Sequence, residues 1–325
     1  MAPQRIDVLL IVVLICIGFV LLYKGGDFLV TGAAGIAQKK NIPAVIVGVT
    51  LVAFGTSAPE LFFNIISALH GNAEFALSNV SGSNLINICV GIGISGLVAV
   101  LPINRRQFAK DLAFLLGGPL LIVVFILLSG RGALVLWHGL ALLGGFAVYI
   151  LLTQQELTRH HNMLSEADRV CVDASCKREW GIFFLGGVML YLGGEIIFRN
   201  AMAIVERLQV SESLVGLTVI AVGTSIPDCA ASIIAVTKNQ KGIAVGNILG
   251  SNVFNIFLVL GATILAYKDP IYFSRDNLFD YFSVSFLSLL FIAAVVTRQS
   301  YGRFLGAATL AYYPLSLVFR MVYLG

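Results

Sequence analysis

The sequence predicts an all-α polytopic membrane protein, with ten transmembrane helices arranged as two inverted five-helix repeats. Three observations carry that expectation. Of the 325 residues, 58% are hydrophobic and only 12% are charged, with a mean hydropathy of +0.93. A soluble globule of this size needs a largely polar exterior. Apolar runs of about 18 residues or more recur along the whole chain, each long enough to cross a bilayer as a helix. Finally, Gly48–Gly93 returns without a gap in the second half of the chain as Gly216–Gly261, with 17 of 46 aligned positions identical.

The expected spans are 7–36, 42–69, 76–100, 112–129, 134–152, 181–205, 213–237, 243–267, 279–297 and 304–324. The first apolar run, Val8–Tyr23, carries on into Gly25–Ala37 with no small-residue cleavage site between them. It therefore reads as a span and not as a cleaved signal peptide. The long polar stretch Thr153–Glu179 splits the ten into five and five. This gives a first repeat over 1–152, a short loop over 153–179 and a second repeat over 180–325. Five is odd, so the second repeat enters from the opposite side of the membrane, as in several secondary transporters.

Loop charge sets the orientation. Thirteen Lys and Arg residues, among them Lys39, Arg105, Lys110, Arg159 and Lys238, fall on one face, and six, such as Arg5 and Arg275, on the other. That bias makes the central loop cytoplasmic and puts both termini outside a cell membrane, the inner membrane of a prokaryote. The net charge of +4 reflects this topology and implies no nucleic acid. The lipid bilayer is the expected surrounding, with no obligate protein partner evident. Cys16, Cys89 and Cys229 lie in spans, where Cys packs as a small hydrophobe. Cys171 and Cys176 lie in the loop, and His160 and His161 do not give them a usual metal-ligand spacing, so no cofactor is expected.

Within the repeated stretch, GVTLVAFGTSAPE is answered by GLTVIAVGTSIPD, and SNVSGSNLINI by GNILGSNVFNI. On a helix, Thr56, Ser57 and Glu60 share one face, as do Thr224, Ser225 and Asp228. Pro59 lacks an N–H, so the carbonyl of Gly55 loses its helical partner. The expectation is a kinked or broken helix whose free carbonyls stand beside two hydroxyls and a carboxylate. Each acidic helix is followed by a companion in which Ser83 and Asn87, or Ser251 and Asn255, lie one turn apart. Such oxygen-only sets suit hard cations like Na⁺ and Ca²⁺.

Ser, Thr, Gly and Pro are also common in membrane helices as packing residues, so any single Ser or Asn could equally be structural. The carboxylates are different. An unpaired charge at mid-membrane costs about 3 kcal/mol on insertion scales. Two at equivalent positions, each flanked by the same hydroxyls, are poorly explained by packing. A second duplicated pattern, LYKGGD and LYLGGEIIFR, places Lys24 near Asp27 and Arg199 near Glu195. The simple reading is a neutralising pair within each helix. His70 and His138 fall near span ends and read as interfacial.

The paired motifs GTSAPE with GSNLIN, and GTSIPD with GSNVFN, resemble the two alpha-repeats of the cation/calcium antiporters, in the sodium/calcium exchanger branch. The resemblance implies four central sites, one for Ca²⁺ flanked by positions for Na⁺. It assigns the principal Ca²⁺ ligands to Glu60 and Asp228, with Thr56, Ser57, Thr224, Ser225, Ser83, Ser251, Asn87 and Asn255 around them. Backbone carbonyls of Ala53 and Ala221 would serve flanking sodium. It also implies long, tilted first and sixth helices that slide across the core. Some family members, the potassium-dependent branch included, carry Asp where this chain has Asn255. Two central acids in place of three imply independence from K⁺. The roughly 27 residues of Thr153–Glu179 are too few for the calcium-sensing domain of animal exchangers.

The expected function is thus antiport of Ca²⁺ against Na⁺ by alternating access, electrogenic if three Na⁺ move per Ca²⁺. A rival is proton/calcium antiport, since a buried carboxylate can trade a cation for a proton. The Thr-Ser pairs favour sodium. A passive cation channel fits less well, because channel filters are usually rings of repeated subunits. A membrane enzyme fits least, as no nucleophile–base set stands beside the acids.

Overall fold

A computed structural model describes residues 8–71, 73–129, 132–162, 175–207, 221–273, 275–298 and 300–323. In chain order the helices are α1 (Val8–Lys39), α2 (Ala44–Leu69), α3 (Ala73–Ile86, continued by Asn87–Ile92 and Gly93–Val98), α4 (Ala109–Leu128) and α5 (Leu136–Asn162). There follow α6 (Lys177–Arg207), α7 (Ala221–Thr237), α8 (Lys241–Tyr267), α9 (Arg275–Arg298) and α10 (Arg303–Tyr323). Eight of them are long and apolar enough to cross a membrane; α7 and α10 are the other two. The described part of α7 has 17 residues, because the start of the expected span 213–237, like Cys171, lies outside the described residues.

Burial separates the helices into centre and flank. In α3 and α8 the most apolar window is 83% buried, against 28% in α1 and 22% in α5. The companion helices of the two motifs therefore form the axis of the bundle. Flanking helices turn residues such as Val13, Phe19, Val20, Phe184 and Val188 outward, where lipid would cover them.

The longest helices, α1 and α6 with 32 and 31 residues, pack against each other in antiparallel fashion along a seam of glycines. A methyl group on Gly25 would stand 2.6 Å from the Leu190 nitrogen, on Gly193 2.8 Å from the Gly18 carbonyl, and on Gly32 2.6 Å from the Phe183 nitrogen. Only glycine allows two backbones this close. Lys39 closes one end of the seam on Glu179 at 2.9 Å.

Helix ends follow local chemistry. α1 and α7 both stop at an Asn in the left-handed region, Asn41 with φ 49° and Asn239 with φ 60°. Behind each, two backbone N–H groups reach back to the last helical carbonyls, as with Ile42 to Ala37 and Gln240 to Ala235. α5 runs past its expected end at residue 152, because Lys110 of α4 donates to Thr153 at 2.6 Å and Glu156 at 2.9 Å and holds that polar turn helical. Two short antiparallel pairings complete the fold. β1 (Leu101–Pro102) joins β4 (Ser300–Tyr301), and β2 (Ala133–Leu134) joins β3 (Ile271–Tyr272), so each pairing ties the first half of the chain to the second.

Two expectations need correction. Of the kink or break expected at Pro59, the break is absent: the proline sits inside the continuous segment Ala53–Leu69. A proline removes one hydrogen bond, that to the Gly55 carbonyl, and the bonds on either side keep the segment helical. The pair expected between Lys24 and Asp27 also fails. Asp27 binds Lys238 of the α7 terminus at 2.7 Å, while Lys24 lies 5.9 Å from the centre of the Tyr23 ring. Glu195 and Arg199 do pair within α6, at 2.6 Å.

Candidate cation site

Each acidic helix carries its motif to the centre of the bundle. In α2, Thr56, Ser57 and Glu60 are buried, and in α7 Ser225 and Asp228 have no exposed surface. Thr224 is half-buried. Ser83 and Asn87 on α3, and Ser251 and Asn255 on α8, are all buried as well. Ala53 is buried in α2, and Ala221 opens α7. Gly250 brings α8 against α2 at this level: a methyl group there would lie 2.7 Å from both the Val49 carbonyl and Ala53 Cβ.

The two carboxylates are treated unequally. Asp228 is held on both oxygens, by Ser251 Oγ donating to Oδ1 at 2.9 Å and Asn87 Nδ2 donating to Oδ2 at 2.9 Å. Thr56 and Ser57 of the other copy, and Glu60, lie near the same carboxylate. Glu60 has no such support: among the described residues, its Oε1 and Oε2 are buried with no hydrogen-bond partner. The Ser57 and Ser225 hydroxyls and both amide atoms of Asn255 are buried and unpaired too. Buried polar atoms are ordinarily bonded, and a buried charge without a partner costs several kcal/mol. A cation among these oxygens would offset that cost, and the donor set is all oxygen, as hard cations require.

Backbone irregularity lies where the ligand candidates are. Asn87 opens the π-helical stretch Asn87–Ile92, Asn255 falls in another, Phe254–Leu260, and a third, Gly48–Val52, runs directly into Ala53. Wide turns of this kind take carbonyls off the regular ladder and recur at functional sites. The Thr56 hydroxyl reaches the carbonyls of Val52 at 3.0 Å and Ala53 at 3.3 Å. Nothing in the residue spacing announced these turns.

Sequence reasoning also missed Asn79 and Asn247. Thr56 Oγ1 lies 3.2 Å from Asn247 Oδ1, and Thr224 Oγ1 donates to Asn79 Oδ1 at 2.9 Å, so each copy's threonine is bonded to the other copy's amide. Asn247 Nδ2 in turn donates to the Asp228 carbonyl at 3.0 Å and to Ser232 at 2.8 Å. The available signal was their identity at the same place in both copies, one turn before Ser83 and Ser251. A further bond joins the copies at like positions: Asn84 Nδ2 reaches the carbonyl of Asn252, its own counterpart in the second copy, at 3.4 Å. Replacing Asn247 by Ala is expected to lower stability by about 2 kcal/mol, because it takes a bond from each of the buried Thr56 hydroxyl, the Ser232 hydroxyl and the Asp228 carbonyl. Thermal unfolding of the purified protein measures this, and an unchanged midpoint would remove Asn247 from the account.

The sequence profile of the family described as sodium/calcium exchanger protein matches residues 10–154 and again 178–322. The chain belongs to the sodium/calcium exchanger family. The two matches are displaced along the chain by the same interval as the two motifs. The chain is similar to the inner membrane protein YrbG of Escherichia coli (strain K12), 32% identical over 311 residues, 90% of each chain. The sodium/calcium exchanger MaX1 of Methanosarcina acetivorans is 26% identical over 341 residues, covering 94% of this chain and 97% of its own. A solved structure of the sodium-calcium exchanger NCX_Mj, soaked with Na⁺ and Sr²⁺, covers 96% of this chain and 99% of its own with a TM-score of 0.80 at 25% identity. The exchanger fold thus extends over nearly the whole chain.

Proposed function

We propose that the chain is a secondary antiporter exchanging Ca²⁺ for Na⁺ across a prokaryotic cell membrane by alternating access, electrogenic and independent of K⁺. The observation that carries this reading is the Glu60 carboxylate, buried and unpaired beside a second, well-supported carboxylate on Asp228. Two carboxylates neutralise one Ca²⁺, with the hydroxyls and amides of both motifs completing the shell. Sodium ions occupy overlapping oxygens, the carbonyls of Ala53 and Ala221 among them, and cannot share the site with Ca²⁺. That mutual exclusion couples the two fluxes. With Asn at positions 87 and 255, neither companion helix places a third acid there to recruit K⁺.

The same reading makes the architecture ten spans in two inverted repeats, 1–152 and 180–325, with the loop 153–179 cytoplasmic and both termini outside. The doubled family match and the antiparallel α1 and α6 support it. Its test is Ca²⁺ flux in proteoliposomes with Na⁺, K⁺ and H⁺ gradients imposed one at a time. Only the Na⁺ gradient is expected to drive radioactive Ca²⁺, at a rate that responds to membrane voltage. Full flux after a pH jump without Na⁺ would establish the proton-coupled alternative, and flux with no counter-ion would indicate a channel.

A further inference from the structure

The two copies of the repeat are held differently at their rims. In the first, Asp27 on α1 binds Lys238 at the end of α7 at 2.7 Å, and Lys238 also donates to the Asp27 carbonyl at 3.1 Å and to Thr31 at 2.5 Å. In the register of the repeat, the counterpart of Asp27 is Glu195 and that of Lys238 is His70. The equivalent bond would join α6 to the end of α2. Glu195 instead takes its hydrogen bond from Arg199 at 2.6 Å, and the His70 ring turns back to the Ile66 carbonyl at 2.8 Å. Arg199 stands where the first copy has Thr31, so Glu195 has a cation within its own helix.

Packing shows the same inequality. Gly26 on α1 faces Ile234 of α7, which is 7% exposed. Its counterpart Gly194 faces Pro227 and Gly223, also of α7, while Ile66, the counterpart of Ile234, is 54% exposed. The α1–α6 pair therefore leans on α7 with both helices; on α2 it reaches Gly55 through Phe183 and Leu29, and the end of α2 at Ile66 and Leu69 is left exposed. The two rims are at opposite ends of the bundle: α2 runs parallel to α8, and α7 ends where α8 begins.

We propose that Asp27–Lys238 and Glu195–His70 are alternating latches, the second forming only when the first has opened. In the other conformation Glu195 leaves Arg199 for His70, Gly194 moves onto Ile66, and Gly26 takes its place against Pro59 and Gly55. Two near-copies joined across an axis can exchange local conformations and regain packing of equal quality. The glycine seam fixes Asp27 relative to Glu195, so closing one latch withdraws the other. Conformational exchange of the copies is taken from the alternating-access reading above.

The test is cross-linking of the full chain in liposomes, with a protease site placed between α5 and α6. Asp27→Cys with Lys238→Cys, and Glu195→Cys with His70→Cys, each put one thiol in either half. A short bifunctional thiol reagent of ion-pair length then holds the cleaved halves together; single-cysteine variants give the background. Both pairs are expected to cross-link, in different ionic conditions, and each link to stop transport. Loss of a half-exposed ion pair shifts a two-state balance by about fivefold. Lys238→Gln should raise the yield of the second pair by that factor, and His70→Gln should raise the first. A second pair that never cross-links, or both links in one molecule, overturns the latch. Exchange of links without Ca²⁺ flux would uphold the latch and sink the ion assignment, and flux without exchange would do the reverse.

Discussion

Replacing Glu60 by Gln is expected to lower Na⁺-driven Ca²⁺ flux by at least about 100-fold, since breaking a buried charge pairing costs about 3–5 kcal/mol. The substitution keeps the shape of the side chain and removes one of the two charges that would balance a divalent ion. Because the Glu60 oxygens are buried without partners, it also relieves a cost in the ion-free protein. The variant should therefore unfold at the same temperature as the parent or higher without ions, and yet gain nothing from added Ca²⁺. The parent should gain about 2.7 kcal/mol at a hundred times the dissociation constant. Flux and Ca²⁺-dependent melting measured together separate a lost ligand from a damaged fold. Unimpaired flux in the variant would end the assignment of Glu60 as a ligand.

The second large effect concerns the seam between α1 and α6. Gly25→Val is expected to destabilise the protein by about 3 kcal/mol, at the upper end of overpacking costs. A Cβ at Gly25 would lie 2.6 Å from the Leu190 nitrogen and 2.9 Å from the Gly186 carbonyl, both backbone atoms that no side-chain rotation can clear. Gly117, by contrast, has open space where its Cβ would be, and Gly117→Val should be tolerated at the ordinary cost of a β-branched residue in a helix, about 0.5 kcal/mol relative to alanine. Detergent-solubilised yield and thermal midpoint compare the two. Equal behaviour would show that the helices separate freely and that the seam is not rigid.

Hydropathy and the internal repeat made the fold class legible, because a membrane leaves a protein few ways to satisfy its backbone. Helical spacing likewise grouped Thr56 with Glu60 and Ser251 with Asn255, since neighbours three or four apart share a face whatever the tertiary structure. What spacing does not report is competition from another helix. Asp27 sits one helical turn from Lys24, and still its partner is Lys238, in the other half of the chain. The roles of Asn79 and Asn247 were hidden for the same reason: each accepts from the threonine of the other copy, a bond that spacing within one copy does not report. The continuity of α2 through Pro59 was not decided by the proline alone, since one missing hydrogen bond can kink a helix without ending it.

The contact between Asn84 and Asn252 has a geometric meaning of its own. A residue that touches its own counterpart lies on the line that interchanges the halves. If the protein moves between two shapes by swapping the roles of its copies, points on that line stay where they are. Spectroscopic labels at 84 and 252 should then report one unchanging distance through the whole cycle, while labels farther out trade long distances for short ones. That pair is the origin from which every other displacement in the molecule can be measured.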